Sequence, residues 1–211
     1  MSAHAVRVWD VFAGAGAMTH AMGEAIRARG ARCEVVALVE SASAERMVLA
    51  DRYPGVWTPG DVGQLARLPR AEVGLAGYPC PGNSPLSTRF GGARGAEHPA
   101  TRMVSQLLRL LDGEAPPVLV LENTTGCLSS PGGGGEQSGG DDPGEGGFFR
   151  WLSRRLAAAG YTHGEWRTLC TSSATPAYSR SRVFLVAWMA PACLSGVLLG
   201  CEGASEPARG D

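Results

Sequence analysis

A cysteine held between two prolines is the residue of this chain best suited to chemistry. Cys80 follows the apolar run Glu72–Ala76 and is flanked by Pro79 and Pro81. Because the apolar run has ended and the prolines restrict the backbone, core packing does not explain a thiol at this point. The pattern predicts a loop that presents Cys80 as a nucleophile.

A carboxylate and an amide occupy a similar place after another apolar run. Glu122 and Asn123 follow Pro117–Leu121, which has the composition of a buried strand. A carboxylate at the end of such a strand loses hydration, and a role as an acid or hydrogen-bond donor to a substrate ring would explain its position. A Glu122 that only accepts hydrogen bonds from loop amides explains it equally well, so both alternatives stay open.

A glycine-rich turn follows the first apolar run. The segment Asp10–Gly16 predicts a strand, a tight turn and then a helix. Gly14 and Gly16 would let a ligand approach the backbone and the helix N-terminus, as in nucleotide-binding units. Glu40 ends the next strand-like run, where an acid in such folds accepts hydrogen bonds from ribose hydroxyls. The full Gly-x-Gly-x-x-Gly pattern is absent, and a plain turn with a solvated Glu40 is the alternative.

Asp61 adds one more acid to this group. It stands in Gly60-Asp61-Val62, which we expect at the end of a third strand. There its carboxylate could bind the amino group of an adenine ring. An aspartate that caps a helix or closes a turn is the alternative.

Composition bounds the classes of protein that fit. The 211 residues, 44% of them hydrophobic, suffice for one sizeable core. A net charge of -1 gives no overall attraction to nucleic acid or membrane, so a polyanionic partner must meet a local patch. The six cysteines show no Cys-x-x-Cys pair and no zinc-ligand spacing. No charged-then-apolar leader and no span of ~18 apolar residues occurs. We therefore expect an intracellular protein, nuclear in a eukaryote and cytoplasmic in a bacterium.

The elements that must position these residues alternate between strand-like and helical patterns, which predicts an α/β parallel sheet covered by helices. In an open parallel sheet, ligands bind outside the carboxyl ends of the strands. We therefore expect Gly14, Glu40, Cys80 and Glu122 to converge on one rim. The predicted strands are Arg7–Phe12, Glu34–Val39, Glu72–Ala76, Val118–Leu121, Gly164–Leu169 and Arg182–Trp188, and the predicted helices are Met18–Ala28, Ala42–Arg52, Ala100–Leu111 and Phe148–Ala159.

Composition also divides the chain into segments. Residues 129–147 are almost wholly Gly, Ser, Pro, Asp and Glu, and such a segment cannot bury enough apolar area to order itself. We expect a catalytic domain over residues 1–190 with a flexible insertion at 129–147. Residues 191–211 are expected to form a mobile tail.

The order of these motifs resembles the cytosine-5 DNA methyltransferase family, together with its tRNA-modifying branch. The resemblance runs from about Val8 to Trp188 and covers the family's first through eighth motifs. It implies a Rossmann-like class I S-adenosylmethionine-dependent methyltransferase sheet, mostly parallel with a terminal antiparallel strand and truncated at the C-terminus. It also implies S-adenosyl-L-methionine as cofactor and DNA, or alternatively RNA, as partner.

The resemblance also implies roles for particular residues. Phe12 would stack on adenine, Glu40 would bind the ribose and Asp61 the adenine amino group. The implied cofactor-binding residues are Phe12, Gly14, Gly16, Glu40, Asp61 and Pro79. The implied catalytic residues are Cys80, Glu122 and Asn123, which resemble the Pro-Cys and Glu-Asn-Val motifs, and the paired arginines Arg180 and Arg182.

The implied mechanism is covalent. The Cys80 thiolate would add to cytosine C6, which makes C5 enamine-like and able to take a methyl group. Glu122 would hold and protonate the ring at N3, Asn123 would fix its loop, and Arg182 would steady Glu122 and the ring carbonyl. Loss of the C5 proton then releases the thiol. The cytosine must be flipped out of a duplex to be reached.

Several positions depart from the family pattern. Pro81 follows the cysteine where the family usually has Gln, and Asn83 stands where an aromatic or apolar residue is usual. Ala177-Tyr178 replaces a Pro-Gln pair before the arginines, and Thr124 replaces the Val after Asn123. These changes bear on turnover more than on cofactor binding.

The family's target-recognition region and its ninth and tenth motifs would lie beyond Trp188. About two dozen residues remain there, too few for that region. We therefore expect either the catalytic half of a two-chain enzyme or a truncated copy. Three other possibilities stay open: a catalytically silent binding module, a tRNA cytosine-5 methyltransferase, and an unrelated dinucleotide-dependent oxidoreductase. The last rests only on Gly14, Gly16 and Glu40, and Cys80 with Glu122 argues against it.

Overall fold

The computed structural model describes residues 5–79, 99–128, 147–170 and 180–190. Cys80, residues 129–146 of the expected insertion and the expected tail 191–211 lie outside them. The described elements are β1 Ala5–Val11, α1 Ala17–Arg27, β2 Arg32–Val39, α2 Ser43–Arg52, β3 Val73–Gly77, α3 Pro99–Glu114, β4 Val118–Thr124, α4 Gly147–Ala158, β5 His163–Cys170 and β6 Ser181–Trp188, with short 3-10 helices at Val62–Gln64 and Thr125–Leu128.

The strands form one six-stranded sheet in the order β2-β1-β3-β4-β6-β5. Neighbouring strands from β2 to β4 run parallel, while β6 runs antiparallel to both β4 and β5. The expectation of a mostly parallel α/β sheet whose last strand is antiparallel is therefore confirmed. The six strands and four helices given above as ranges are all present, with ends shifted by at most three residues.

The central parallel strands β1, β3 and β4 are buried on both faces, as parallel sheets require. Successive side chains of β1 point to opposite faces. Trp9 and Val11 pack with α3 and α4, whereas Val6 and Val8 pack with Ile26 of α1. Each of these large apolar side chains contributes about 1.5–3 kcal/mol by leaving water.

Gly74 makes room for the largest of the buried side chains. A Cβ on Gly74 would lie 2.4 Å from Cη2 and 2.5 Å from Cζ2 of Trp9. Trp9 is 1% exposed, so its indole has little space in which to move. The glycine in the middle of β3 is therefore required by packing against β1.

Two sequence-based boundaries are corrected by the structure. Glu122 and Asn123 lie within β4 rather than after it, because they pair with Phe184 and Val183 of β6. Asp61 does not end a third strand. The segment before it runs beside β2 with only an isolated bridge between Ala37 and Trp57, so a regular strand does not form there. None of the helices in the described segments is both long and apolar enough to cross a membrane.

Candidate active site

The turn after β1 is built from residues with positive φ angles. Phe12, Gly14 and Gly16 have φ angles of 61°, 53° and 82°. A Cβ on Gly14 would meet nothing within 4 Å, so this glycine faces open space. A Cβ on Gly16 would lie 3.0 Å from Cε2 of Tyr53 and 3.1 Å from Cδ2 of Leu49. Gly14 thus leaves room for a ligand, whereas Gly16 allows α2 to pack closely.

Phe12 is the one non-glycine residue with positive φ among those that the structure describes. Such a backbone conformation costs about 1–3 kcal/mol for a residue with a bulky side chain. Phe12 is partly buried and packs against the main core. Strain of this kind is retained where the surrounding structure requires it.

The side chain of Asp10 links the end of β1 to the helix that follows the glycine turn. Its side chain is 1% exposed, and its Oδ2 accepts a 2.6 Å hydrogen bond from Oγ1 of Thr19 in the first turn of α1. Burial raises the pKa of Asp10 to about 6. Its Oδ1 is buried without a hydrogen-bond partner. Gly16 occupies the N-cap position without a side-chain cap, so Asp10 supplies the negative charge that a helix N-terminus favours.

Glu40 connects the end of β2 to the glycine turn. Its Oε2 accepts a 2.8 Å hydrogen bond from the Gly14 N–H, and its Oε1 accepts one of 2.8 Å from the Ala42 N–H. The side chain is half-buried. Each carboxylate oxygen can accept more than one hydrogen bond, so Glu40 can hold the turn and still accept from the two hydroxyls of a ribose.

Arg46 of α2 holds the backbone that follows Glu40. Its Nη1 donates to the carbonyl oxygens of Glu40 at 3.1 Å and Ser41 at 2.5 Å. The same nitrogen would lie 3.4 Å from a Cβ on Gly60, the residue before Asp61. Arg46 therefore holds the loop that carries Glu40 and lies beside the residue that precedes Asp61.

Asp61 caps a short 3-10 helix. Its Oδ1 accepts a 2.8 Å hydrogen bond from the Gly63 N–H, and the residue is exposed. The alternative of a capping aspartate is thus present in the structure. The cap engages one carboxylate oxygen, so it is compatible with a second hydrogen bond from a ligand.

Glu122 forms an ion pair near the carboxyl end of β4. Its Oε1 lies 2.7 Å from Nε of Arg182, and the two side chains are 23% and 17% exposed respectively. Burial raises the pKa of Glu122, while the charges of Arg182 and Arg180 counteract part of that rise. A raised pKa favours the protonated form of the carboxyl, which is the form that a proton donor requires.

Gly77, at the end of β3, lies between Glu122 and the glycine turn. A Cβ on this residue would lie 3.5 Å from Oε2 of Glu122, 3.6 Å from Sδ of Met18 and 3.9 Å from the carbonyl oxygen of Phe12. Glu122 and the glycine turn are therefore separated by little more than this residue. Of the four residues expected on one rim, Gly14, Glu40 and Glu122 lie there.

Asn123 fixes the chain that leads to Cys80. Its Nδ2 donates a 3.0 Å hydrogen bond to the Tyr78 carbonyl, and its Oδ1 accepts one of 2.7 Å from the Thr124 N–H. The Tyr78 side chain is also held, by a hydrogen bond with Cys127 and a ring contact with Phe148. Asn123 thus restrains the chain two residues before Cys80.

The structure places the remaining predicted residues as follows. Pro79 is half-buried after β3. Arg180 is exposed immediately before β6, close enough to Glu122 for its charge to affect that carboxyl. Cys80 lies outside the described residues. Sequence reasoning missed Asp10 and Arg46 as parts of the site. An aspartate inside an apolar strand was an available signal for Asp10, whereas an arginine on an exposed helix gives none.

Comparison with known proteins agrees with this geometry. The profile of the C-5 cytosine-specific DNA methylase family matches residues 6–192. The curated Type II methyltransferase M2.BsuMI of Bacillus subtilis (strain 168) is 25% identical over 122 residues, which are 56% of this chain and 29% of that protein.

Solved structures show the same fold. The Dnmt2 methyltransferase of S. pombe has a TM-score of 0.58 and 15% identity, over 87% of this chain and 49% of that chain. A Listeria monocytogenes protein assigned to the class I S-adenosylmethionine-dependent methyltransferases has a TM-score of 0.55 and 14% identity, over 90% and 56%. The chain thus spans about half the length of these structures. The fold class is confirmed, and the family profile shows that the chain belongs to the C-5 cytosine-specific DNA methylases.

Proposed function

We propose that this chain is the catalytic region of a DNA (cytosine-5) methyltransferase that uses S-adenosyl-L-methionine. The observation that carries the proposal is the position of Glu122. It is a half-buried carboxyl with a raised pKa, paired with Arg182, and it lies across Gly77 from an open glycine turn held by Glu40. One rim of the sheet thus holds both a nucleotide-binding turn and an acid that can bind a substrate ring.

The residues at the turn fit the proposed cofactor. The open space at Gly14 leaves room for a ligand against the backbone, and Glu40 keeps acceptor capacity for a ribose. Phe12 offers an aromatic ring and Asp61 a carboxylate for an adenine. S-adenosyl-L-methionine, when bound, supplies an electrophilic methyl group. The four chain residues named here would hold and orient it.

The chain's own residues account for activation of the cytosine. The Cys80 sulfur forms a bond to C6 while N3 accepts a proton from Glu122; the C5–C6 double bond becomes single and C4=C5 becomes an enamine, which makes C5 nucleophilic. Arg182 keeps Glu122 aimed and offers a donor to the ring carbonyl. After C5 is methylated, N3 returns its proton to Glu122, the C5 proton is released to solvent, and the C6–S bond breaks, which restores the C5–C6 double bond and the thiolate. The target base must leave the duplex for this approach.

We further propose that a second chain supplies target recognition. The chain spans 29% of the curated relative and about half of the solved structures that it matches. A partner with the remaining elements would complete the DNA-binding surface. The expected result is that sequence-selective methylation requires both chains. Selective methylation at an ordinary rate by this chain alone would contradict the partner proposal and leave the catalytic one intact.

A mechanism-based trap tests the covalent step. DNA carrying 5-fluorocytosine is incubated with the protein and S-adenosylmethionine, and denatured samples are examined for a protein–DNA adduct. Fluorine at C5 blocks the final elimination, so an active protein stays attached. Cys80→Ala should abolish the adduct and keep cofactor binding, because its side chain is not needed to hold the cofactor. Cofactor binding without any adduct would indicate a catalytically silent module, and an adduct with RNA only would indicate the tRNA-modifying branch.

A further inference from the structure

The strand β5 is an exposed edge of the sheet. It is last in the strand order and pairs only with β6 among the described strands. Trp166 is 50% exposed and Leu169 is 56% exposed. A groove of about 600 Å3 runs beside the strand and is lined by its own residues Gly164–Thr168.

An edge of this kind is a template for another strand. The outward N–H and C=O groups of Gly164–Thr168 have no strand partner in the described sheet, and natural proteins usually protect such edges with short strands, bulges or lysines. β5 is eight residues long, pairs with β6 in continuous register over that whole length, and carries an exposed aromatic side chain. Its form therefore favours pairing with another strand.

The charges on β5 indicate which strand would pair with it. Glu165 and Arg167 flank Trp166 and point to the same face, since they are two residues apart. Their side chains are 66% and 77% exposed, and the Oε2 and Nη2 atoms are 3.7 Å apart. The face therefore carries one negative and one positive charge at symmetric distances from Trp166.

We propose that β5 pairs antiparallel with β5 of a second copy of this chain, with the two-fold axis at Trp166. In that register, Glu165 of each copy lies opposite Arg167 of the other, so the interface contains two cross-strand ion pairs. Gly164 lies opposite Thr168, which leaves no bulky pair beside the axis. The strand is thus complementary to itself in charge, as a symmetric dimer interface requires.

The apolar contacts favour the same register. Trp166 points to the opposite face from the two charges, toward α4, where its ring makes an edge contact with Phe149 at a centroid distance of 5.9 Å. At the two-fold axis the Trp166 of one copy lies directly opposite the Trp166 of the other. Aromatic pairs of this kind stabilise antiparallel strands, and the contact would cover the ring that the single chain exposes. The two sheets would become one of twelve strands.

Charge reversal tests both the dimer and its register. The complete 211-residue chain is studied by sedimentation velocity and light scattering at high-micromolar concentration under reducing conditions, which exclude disulfide-linked dimers. Wild type is expected to be dimeric. Glu165→Arg and Arg167→Glu each place like charges opposite one another, and each should weaken the dimer by about tenfold or more. Asp51→Arg, a reversal at an exposed residue of α2, should not.

Mixing Glu165→Arg with Arg167→Glu is the most decisive experiment. One variant has two arginines and the other two glutamates, so an equimolar mixture should restore a dimer with both ion pairs. The double variant E165R/R167E should dimerise as wild type does. A monomeric wild type, a dimer that survives both single reversals, or a mixture that stays monomeric would each overturn the proposal. Unchanged thermal midpoints of the variants exclude misfolding, and the proposed catalytic function is independent of every outcome.

Discussion

The buried carboxyl of Asp10 should make stability depend on pH in a defined window. Burial raises its pKa from 3.8 to about 6 in the folded protein. The folded state therefore binds more protons than the unfolded state between these two values. The free energy of unfolding that Asp10 contributes is fully present below pH 3.8 and is lost as the pH rises through about 6.

The size of this loss in the free energy of unfolding follows from the pKa shift of Asp10. A difference of about two pKa units, at ~1.4 kcal/mol per unit, corresponds to ~3 kcal/mol. Asp10 is 1% exposed, so solvent screening reduces this figure little. Asp10→Asn cannot ionise and should not show the loss. The free energy of unfolding of the variant minus that of wild type should therefore increase by ~2 kcal/mol between pH 4 and pH 7, since a small part of the loss has already occurred at pH 4.

Urea unfolding of wild type and Asp10→Asn at several pH values measures this difference. The buried amide of the variant can leave a donor without a partner, which costs about 1–3 kcal/mol at every pH. The prediction therefore concerns how the difference in free energy of unfolding between Asp10→Asn and wild type changes with pH. The value of that difference at any one pH is not predicted. Asp51→Asn serves as the control, because that side chain is exposed. A difference for Asp10→Asn that is the same at pH 4 and pH 7 would refute the reasoning.

Three further predictions concern the site and the core. Glu122→Gln should lower the rate of methyl transfer by about 10²–10⁴-fold and leave cofactor affinity unchanged, as single-turnover kinetics and calorimetry would show; an equal loss of affinity would argue against a role limited to the substrate ring. Arg46→Leu should weaken cofactor binding by about tenfold, because the backbone at Glu40 and Ser41 loses two hydrogen bonds, whereas the thermal midpoint and the saturated rate should change little. Gly74→Ala should destabilise the fold by at least about 1–3 kcal/mol, because its Cβ would lie 2.4 Å from the Trp9 ring; an unchanged urea midpoint would contradict this packing.

Much of the fold could be predicted from local patterns. Apolar runs bounded by Gly, Pro or charged residues placed all six strands and four helices, because burial of a sheet and of helix faces imposes those periods. The end of β4 was misplaced because Glu122 and Asn123 are polar. Their strand conformation comes from pairing with β6, a partner distant in sequence. The same long-range pairing sets β5 at the edge, which no local pattern reveals.

The site could be predicted in part. Gly14, Glu40 and Glu122 carry residue types whose chemistry is specific at strand ends, so their convergence followed from sheet topology. Asp10 and Arg46 were missed because their roles depend on what they contact. Asp10 acts through Thr19, and Arg46 through two backbone carbonyls. Such contacts form only when α1 and α2 have packed against the sheet.

The site of covalent attachment tests the proposed function most directly. DNA with a single 5-fluorocytosine is trapped with the protein and S-adenosylmethionine, the adduct is digested, and mass spectrometry identifies the modified peptide. The account predicts one peptide, attached through Cys80 to a nucleotide that has gained the methyl group, and no adduct from Cys80→Ala. An adduct through another residue, or none from a preparation that binds the cofactor together with its partner chain, would contradict it.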